Sequence, residues 1–175
     1  AEIAFCGFET DEKAENIRIR GGIWRLQGDA ADMCAFEFSD ACGITLENTK
    51  IYAGRGAAAG FCGGSDIRLE SCSFYGLPGT DDAASAGVLL GGSLCCVSLE
   101  GLYSHGCDRF IEISENTALE QLSAKAITSD DCLYFVYGSK AAVKSAVLHD
   151  LSGCAHIDAV YLSDCTLEKL DMRGL

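Results

Sequence analysis

Proline is almost absent from this sequence, and long apolar runs are missing altogether. The 175 residues contain one proline, Pro78, against 20 glycines. Because sheets need backbone N–H groups that proline lacks, while tight corners favour glycine, this balance is typical of stacked strands joined by sharp turns. No run approaches the roughly 18 apolar residues of a membrane-spanning helix, so no membrane span is expected. No segment shows a convincing helical period either.

Positive charge is also scarce. Lys and Arg number 13 and Asp and Glu number 26, which gives a net charge of −13. Nucleic acids and anionic membrane surfaces require basic patches, so neither is an expected partner. A polyanionic glycan such as pectin would bind only if calcium bridged the charges or if basic residues gathered locally.

The eleven cysteines include no C-x-x-C pair, which argues against a zinc ribbon or a thioredoxin-type motif. Most of the cysteines fall at coil corners or at inward-facing strand positions and are predicted to be small buried hydrophobes. Disulfides between coils are compatible with the sequence but are not required by it. A reducing or anaerobic setting would suit this many free thiols. The cysteines at these positions are Cys42, Cys62, Cys72, Cys96, Cys107, Cys132, Cys154 and Cys165.

A repeat of about 24 residues is the strongest positive signal. The pattern recurs six or seven times, and it is cleanest in the last third of the chain. A unit this short cannot bury its own apolar face, so neighbouring units must stack into a solenoid. The three clearest copies are Leu119, Leu122, Ala124 and Ile127, then Val143, Ala146, Leu148 and Leu151, then Leu167, Leu170, Met172 and Leu175.

Each unit offers two strand-like segments, which separates two kinds of solenoid. The first alternates apolar and polar residues, as in Ile44–Leu46 and Ile67–Leu69, and the second is more continuously apolar, as in Leu133–Val136. The last repeats resemble leucine-rich repeats, but the second segment is too rich in β-formers for a helical back. A parallel β-helix is therefore the favoured interpretation.

Asn16–Trp24, with the sequence N-I-R-I-R-G-G-I-W, resembles the opening coil of pectin-lyase-like β-helix proteins, in particular polygalacturonase-type glycoside hydrolases. The resemblance extends through Gly60–Phe61 and Asp66–Phe74. It implies an all-β, right-handed parallel β-helix, a single-stranded solenoid of roughly seven coils, with carbohydrate as the usual ligand. Residues 1–175 are predicted to form one β-helix domain, excised from or part of a longer chain.

The same resemblance implies candidate catalytic residues, in two alternative registers. In the local register Asp108 lies in the N-T-D motif, Asp130 and Asp131 form the D-D motif, and His156 lies in the G-H-G motif. Carboxylates from adjacent coils would then carry out inverting hydrolysis, one protonating the leaving oxygen and the others activating water. Both glycines of G-H-G are absent here, and no R-I-K motif follows.

The alternative register counts coils from the first resemblance onward. It puts Ala84–Val88 on N-T-D and Gly106–Asp108 on the D-D motif, so that Asp131 falls where the histidine belongs. Most of the catalytic set is lost in this register, and it is the register that the coil count favours.

Binding residues are predicted on two flanks of the solenoid. Outward-facing Arg18, Arg20 and Arg68 form one of few basic surfaces and could hold acidic sugars. Three tyrosines after the first strands of successive coils could stack on sugars or pack internally. No cofactor and no metal site is predicted, although calcium is a possible ligand of the paired carboxylates Asp81–Asp82 and Asp130–Asp131. The tyrosines are Tyr52, Tyr75 and Tyr103.

Two functions are compatible with these patterns. The first is a carbohydrate-active domain that binds a polysaccharide and hydrolyses or lyses it. The second is a non-catalytic structural or adhesive β-solenoid that binds glycans, as a tailspike-like homo-trimer or against missing parts of a longer chain. Either would suit a secreted, cell-surface or virion-associated protein, although the location itself is unknown. Catalysis requires carboxylates from adjacent coils to converge in one cleft.

Overall fold

The computed structural model describes residues 4–5, 8–10, 13–26, 34–76 and 85–174. Pro78, the candidate calcium pair Asp81–Asp82 and Leu175 lie outside these residues. The described residues contain no helix, and all of their regular elements are strands. The strands are β1 (Ala4–Phe5), β2 (Phe8–Thr10), β3 (Arg18–Arg20), β4 (Ile23–Leu26), β5 (Cys34–Glu47), β6 (Lys50–Gly54), β7 (Ala57–Glu70), β8 (Ser73–Gly76), β9 (Ala86–Glu100), β10 (Tyr103–His105), β11 (Arg109–Ile113), β12 (Ala118–Ser139), β13 (Ala142–Ser163) and β14 (Thr166–Arg173).

These strands pair in parallel from coil to coil and form a parallel β-solenoid of about six turns. The predicted all-β solenoid is thus confirmed, with slightly fewer coils than the expected seven. The coils are not uniform in length, which explains the lower count. Leu69 and Leu99 are register partners although they are 30 positions apart. Ala124 and Leu148, by contrast, pair at the 24-residue spacing of the repeat.

Each coil contributes three strand segments, and register partners stack these segments into three faces. The sequence predicted only two strands per coil, those of faces A and C below. Face B was missed because its strands, β4, β6, β8 and β10, are three to five residues long, too short for alternation to show. Face A consists of residues 18–20, 44–47, 67–70, 97–100, 122–125, 146–149 and 170–173. Face B consists of residues 4–5, 23–26, 50–52, 73–75, 103–105, 128–130 and 152–153. Face C consists of residues 8–10, 36–38, 59–61, 88–90, 111–113, 136–138 and 160–162.

The register confirms the predicted repeat residue by residue. Leu119 pairs with Val143, and Val143 pairs with Leu167. The other apolar columns of the repeat follow the same register, for example Leu122 with Ala146. The apolar spacing in the sequence therefore marks the positions that stack inside the solenoid.

The inward-facing positions form a continuous apolar core along the axis. Ile67 and Leu69 on face A are fully buried, and so is Phe74 on face B. On face C, Phe38 stacks on Phe61 with ring centroids 5.4 Å apart. Since each ring is covered by the coil above and the coil below, burial depends on stacking and not on any single coil.

One left-handed residue turns the chain at the end of face A in each coil. The φ angles at this position lie between 51° and 73°. Glycine, asparagine and aspartate tolerate this conformation best, but Ser71 and Ala126 adopt it as well. The shared turn keeps successive coils in register and aligns the outward columns of face A. The residues are Gly21, Asn48, Ser71, Gly101, Ala126, Asp150 and Gly174.

Candidate functional site

The predicted basic residues lie on the outer surface of face A. Arg18 and Arg68 share one column, with Thr45 between them. Arg18 and Arg20 both point at Glu47, with nitrogen-to-oxygen distances of 2.6 and 3.6 Å. Arg18 and Arg20 therefore share the single negative charge of Glu47, which can neutralise only one of them.

Arg68 differs from these two arginines, since no ion pair engages it within the described part of the chain. Its side chain is exposed and lines an open groove on face A. Of the three predicted basic residues, Arg68 is the one that lines the groove.

The groove has a volume of about 680 Å³. Its floor follows Ser98 and Ser123, register partners in the middle column of face A. Longer side chains flank these serines, with Gln121 on one side and the stacked pair Glu70 and Glu100 on the other. Because the columns run along the solenoid axis, the groove crosses successive coils and suits an elongated ligand.

Sequence reasoning missed the two glutamates of the groove. A signal for them exists, because a Leu-Glu dipeptide ends the face A segment in three successive coils, at Glu47, Glu70 and Glu100. The acidic residues Asp66, Glu70 and Glu100 outnumber Arg68 along the groove. The groove is therefore acidic on balance.

The three predicted tyrosines lie together on the outer surface of face B. Tyr52 stacks on Tyr75 with ring centroids 4.5 Å apart, and Tyr75 contacts Tyr103 at 6.0 Å. The guanidinium of Arg25 covers Tyr52 at 4.2 Å from the ring centroid. Tyr52 and Tyr75 are register partners and cover each other's ring faces, whereas Tyr103 lies in the neighbouring column and is tilted by 60° to Tyr75. The stacked pair therefore offers a ligand mainly ring edges and hydroxyls.

The third tyrosine of this cluster contacts a carboxylate. The hydroxyl of Tyr103 donates a hydrogen bond of 2.9 Å to Oδ2 of Asp130. Partial burial and this hydrogen bond to Asp130 raise the pKa of Tyr103. The predicted catalytic residue Asp130 is thus engaged with a predicted binding residue.

The other three predicted catalytic residues, Asp108, Asp131 and His156, do not meet in one cleft. The carboxylate of Asp108 is buried and accepts hydrogen bonds from the backbone N–H and the hydroxyl of Ser85, at 2.9 and 3.3 Å. Asp131, at the exposed corner after face B, lies 2.8 Å from Nε2 of His156. The structure therefore pairs Asp131 with His156 and turns Asp108 towards Ser85.

A second aromatic cluster, on face C, was not anticipated. Tyr137 stacks on Tyr161 at 5.4 Å, and Tyr134 contacts both rings. Arg109 lies over Tyr137 at 3.9 Å and binds Glu112 at 2.6 Å. Burial raises the pKa of Glu112, and the Arg109 charge opposes this rise. The tyrosines recur at the coil spacing, which was the available signal.

The cysteines are less uniformly buried than predicted. The ten described cysteines are free thiols. Cys72, Cys107 and Cys132 are buried as expected, and burial raises the pKa of Cys107 to about 12. Cys62 and Cys154, also expected inside, are exposed.

Comparison with models of protein families, with curated proteins and with solved structures gives no match. Among the described residues, no group of three or more His, Cys, Asp or Glu side chains is arranged to hold a metal ion. The same residues include no helix that is long and apolar enough to cross a membrane.

Proposed function

We propose that face A binds a linear, uncharged glycan along the solenoid axis. The observation that carries this proposal is the open groove of about 680 Å³ with its serine floor and its flanking carboxylates. Glutamate, glutamine and serine side chains can each exchange hydrogen bonds with sugar hydroxyls. Coils repeat about every 4.8 Å, so equivalent side chains would meet successive parts of an extended chain.

Charge favours a neutral glycan over a polyanionic one. The groove carries Asp66, Glu70 and Glu100 against Arg68, and the chain as a whole has a net charge of −13. A polyuronate would be repelled unless cations screened it. The resemblance of Asn16–Trp24 to pectin-lyase-like proteins supports carbohydrate as the ligand class, but this groove does not suit pectin itself.

Binding can be tested by affinity electrophoresis of the purified protein through gels that contain neutral polysaccharides or polygalacturonate. We expect retardation by a neutral glycan and none by polygalacturonate. Glu100→Gln removes one charged hydrogen-bond acceptor and should weaken binding about tenfold. Ser98→Trp should abolish binding, because an indole would fill the floor of the groove.

Glu115→Gln is the matched control. Glu115 is an exposed carboxylate that pairs with Lys140 away from the groove. This variant should bind as the unchanged protein does. Equal retardation of the unchanged protein, Glu100→Gln and Ser98→Trp would refute binding on face A.

Hydrolysis is a separate proposal that rests on the motif resemblance, because the exposed pair of Asp131 and His156 lies at the corner after face B and does not line the groove of face A. Its test is reducing-sugar release from the glycan that binds. Release that disappears in Asp131→Asn would support the local register of the catalytic motifs. Release that persists in Asp131→Asn would reject Asp131 as a catalytic residue, and binding without release would leave face A as a non-catalytic glycan-binding surface.

A further inference from the structure

Three side chains meet at the exposed corner that follows face B. His156 Nε2 lies 2.8 Å from Oδ1 of Asp131, in the preceding coil. Cys154 Sγ lies 3.9 Å from Nδ1 and 4.0 Å from Nε2 of the same imidazole. Cys154 and His156 are two residues apart in β13, so their side chains share one side of the strand.

The backbone holds these groups close together. Ser129 pairs with Gly153, and a Cβ atom at Gly153 would overlap the carbonyl oxygen of Ser129. Gly153 has φ of +118°, and Asp131 is itself left-handed with φ of 65°. Only glycine permits this close approach, which brings the corner of one coil against the corner of the next.

The hydrogen bond to Asp131 fixes how the imidazole can act. A carboxylate accepts hydrogen bonds, so Nε2 carries the proton that it donates to Asp131. With Nε2 protonated, Nδ1 is the acceptor of the ring, and at 3.9 Å from the Cys154 sulfur it needs a side-chain rotation to bring the two atoms into line before a proton can pass. A thiol beside a base that is oriented by a third group is the arrangement of an activated nucleophile.

We propose that Cys154 is a reactive thiol that exchanges with low-molecular-weight disulfides, with His156 as its base and Asp131 as the positioning residue. The proton of Sγ passes to Nδ1 of His156, and the Asp131 carboxylate stabilises the imidazolium. The thiolate attacks one sulfur of the disulfide, the S–S bond breaks, and a mixed disulfide forms at Cys154. The second sulfur of the reagent leaves as a thiolate, so the oxidation of the Cys154 sulfur is balanced by the reduction of the leaving sulfur.

The test uses the full chain, reduced and freed of reductant, and 4,4′-dithiodipyridine as the disulfide. This reagent is uncharged, so the net charge of −13 does not repel it. A brief reaction near neutral pH is quenched by blocking the remaining thiols, and peptide mass spectrometry gives the rate at each cysteine. Cys62 is the matched control, because it is exposed and no histidine contacts it in the described part of the chain.

We expect Cys154 to react about tenfold faster than Cys62, because a neighbouring base can take up the proton that the attacking thiol loses. His156→Gln should lower the rate at Cys154 to that of Cys62. Asp131→Asn should lower it part of the way, Asp131→Glu should restore it, and Asp131→Asn should have no effect in a His156→Gln background. A merely structural Asp131 would not show this dependence on His156.

Equal rates at Cys154 and Cys62 in the unchanged protein would overturn the proposal. So would a His156→Gln variant in which Cys154 still reacts fast. The buried thiols of Cys72 and Cys107 monitor folding in the same experiment, because they become reactive only if a variant opens the solenoid. If Cys72 and Cys107 become reactive in His156→Gln, the test rests on Asp131→Asn instead. An unchanged rate at Cys154 in Asp131→Asn then counts against the proposal.

Discussion

The central coils and the last coil follow the same pattern but do not bury it equally. In one inner column of face A, Ile67 and Val97 are 0% and 3% exposed, whereas Leu170, at the same position of the last described coil, is 41% exposed. All three residues are apolar and occupy the same register position. The difference shows that a coil's core is buried by its neighbours, so equal sequence patterns can have unequal energetic value.

The largest expected effect lies in a central coil. Phe61→Ala removes a buried ring that stacks on Phe38, and should lower the free energy of unfolding by about 3–5 kcal/mol. Urea unfolding followed by circular dichroism measures this loss. The matched change at the far end of the same column, Leu162→Ala, removes a half-buried side chain and should cost much less. Equal losses would contradict the comparison.

A second contrast compares two glycines at which an added Cβ atom would meet the same kind of clash. A Cβ at Gly64 would overlap the carbonyl oxygen of Ala41, and a Cβ at Gly153 would overlap that of Ser129. Gly64→Ala should therefore cost about 2 kcal/mol or more, since coils on both sides hold the corner in place. Gly153→Ala should lower the free energy of unfolding by less, because the last coil can shift.

Hydrogen exchange separates these two outcomes. Gly153→Ala should speed amide exchange in β14 while protection in β7 stays unchanged. Faster exchange in β7 as well would show that the last coil unfolds together with the centre and not independently.

A smaller effect is expected at the exposed end of the face A column. Leu170→Ala removes a side chain that is already partly in water, so the loss should be about 1 kcal/mol. Ile67→Ala, in the same column, should cost about 2–5 kcal/mol. Both losses are measured by urea unfolding. A loss at Leu170 as large as that at Ile67 would mean that something covers the last coil in solution.

The smallest effect concerns pH. Burial raises the pKa of Glu112 above its ordinary value of 4.5, so the folded chain binds this proton more tightly than the unfolded chain. Stability from this group is fully present below a pH of 4.5 and is lost as pH rises through the raised pKa. Glu112→Gln lacks this loss, so its stability relative to the unchanged protein should rise with pH in that window.

Asp171, in the last coil, should behave in the opposite way. Its hydrogen bond with Arg173 lowers its pKa below 3.8, so its contribution is present above 3.8 and lost as pH falls through the lowered pKa. Asp171→Asn should therefore be less stable than the unchanged protein above a pH of 3.8, and this difference should shrink as the pH falls below it. Urea titrations at several pH values test both variants, and parallel profiles for the two would contradict the contrast.

The solenoid was predictable because its signal is local and repeated. The spacing of Leu119, Val143 and Leu167 named register partners correctly, since inward positions must be apolar in every coil. The outward location of Arg18 and Arg68 followed from the same alternation. Face B escaped prediction because short strands carry too few alternating positions.

The candidate sites depended on contacts that no local pattern contains. Asp108, Asp130 and Asp131 look alike as corner carboxylates, yet one binds Ser85, one binds Tyr103 and one pairs with His156. Which partner each acquires depends on coil length and on the turns between strands. The groove escaped prediction because its lining residues come from four successive coils and meet only when the coils are stacked.

The sequence by itself determined that this protein is an all-β solenoid, because an apolar period of about 24 residues can be buried only by stacking. It also determined which residues of the regular strands face inward, because strand alternation is a property of the backbone. Tertiary structure alone decided which outward side chains meet, since residues such as Asp131, Cys154 and His156 come together only through the register between coils. Register between coils is set by corner geometry and close backbone approach, which short-range sequence patterns do not specify.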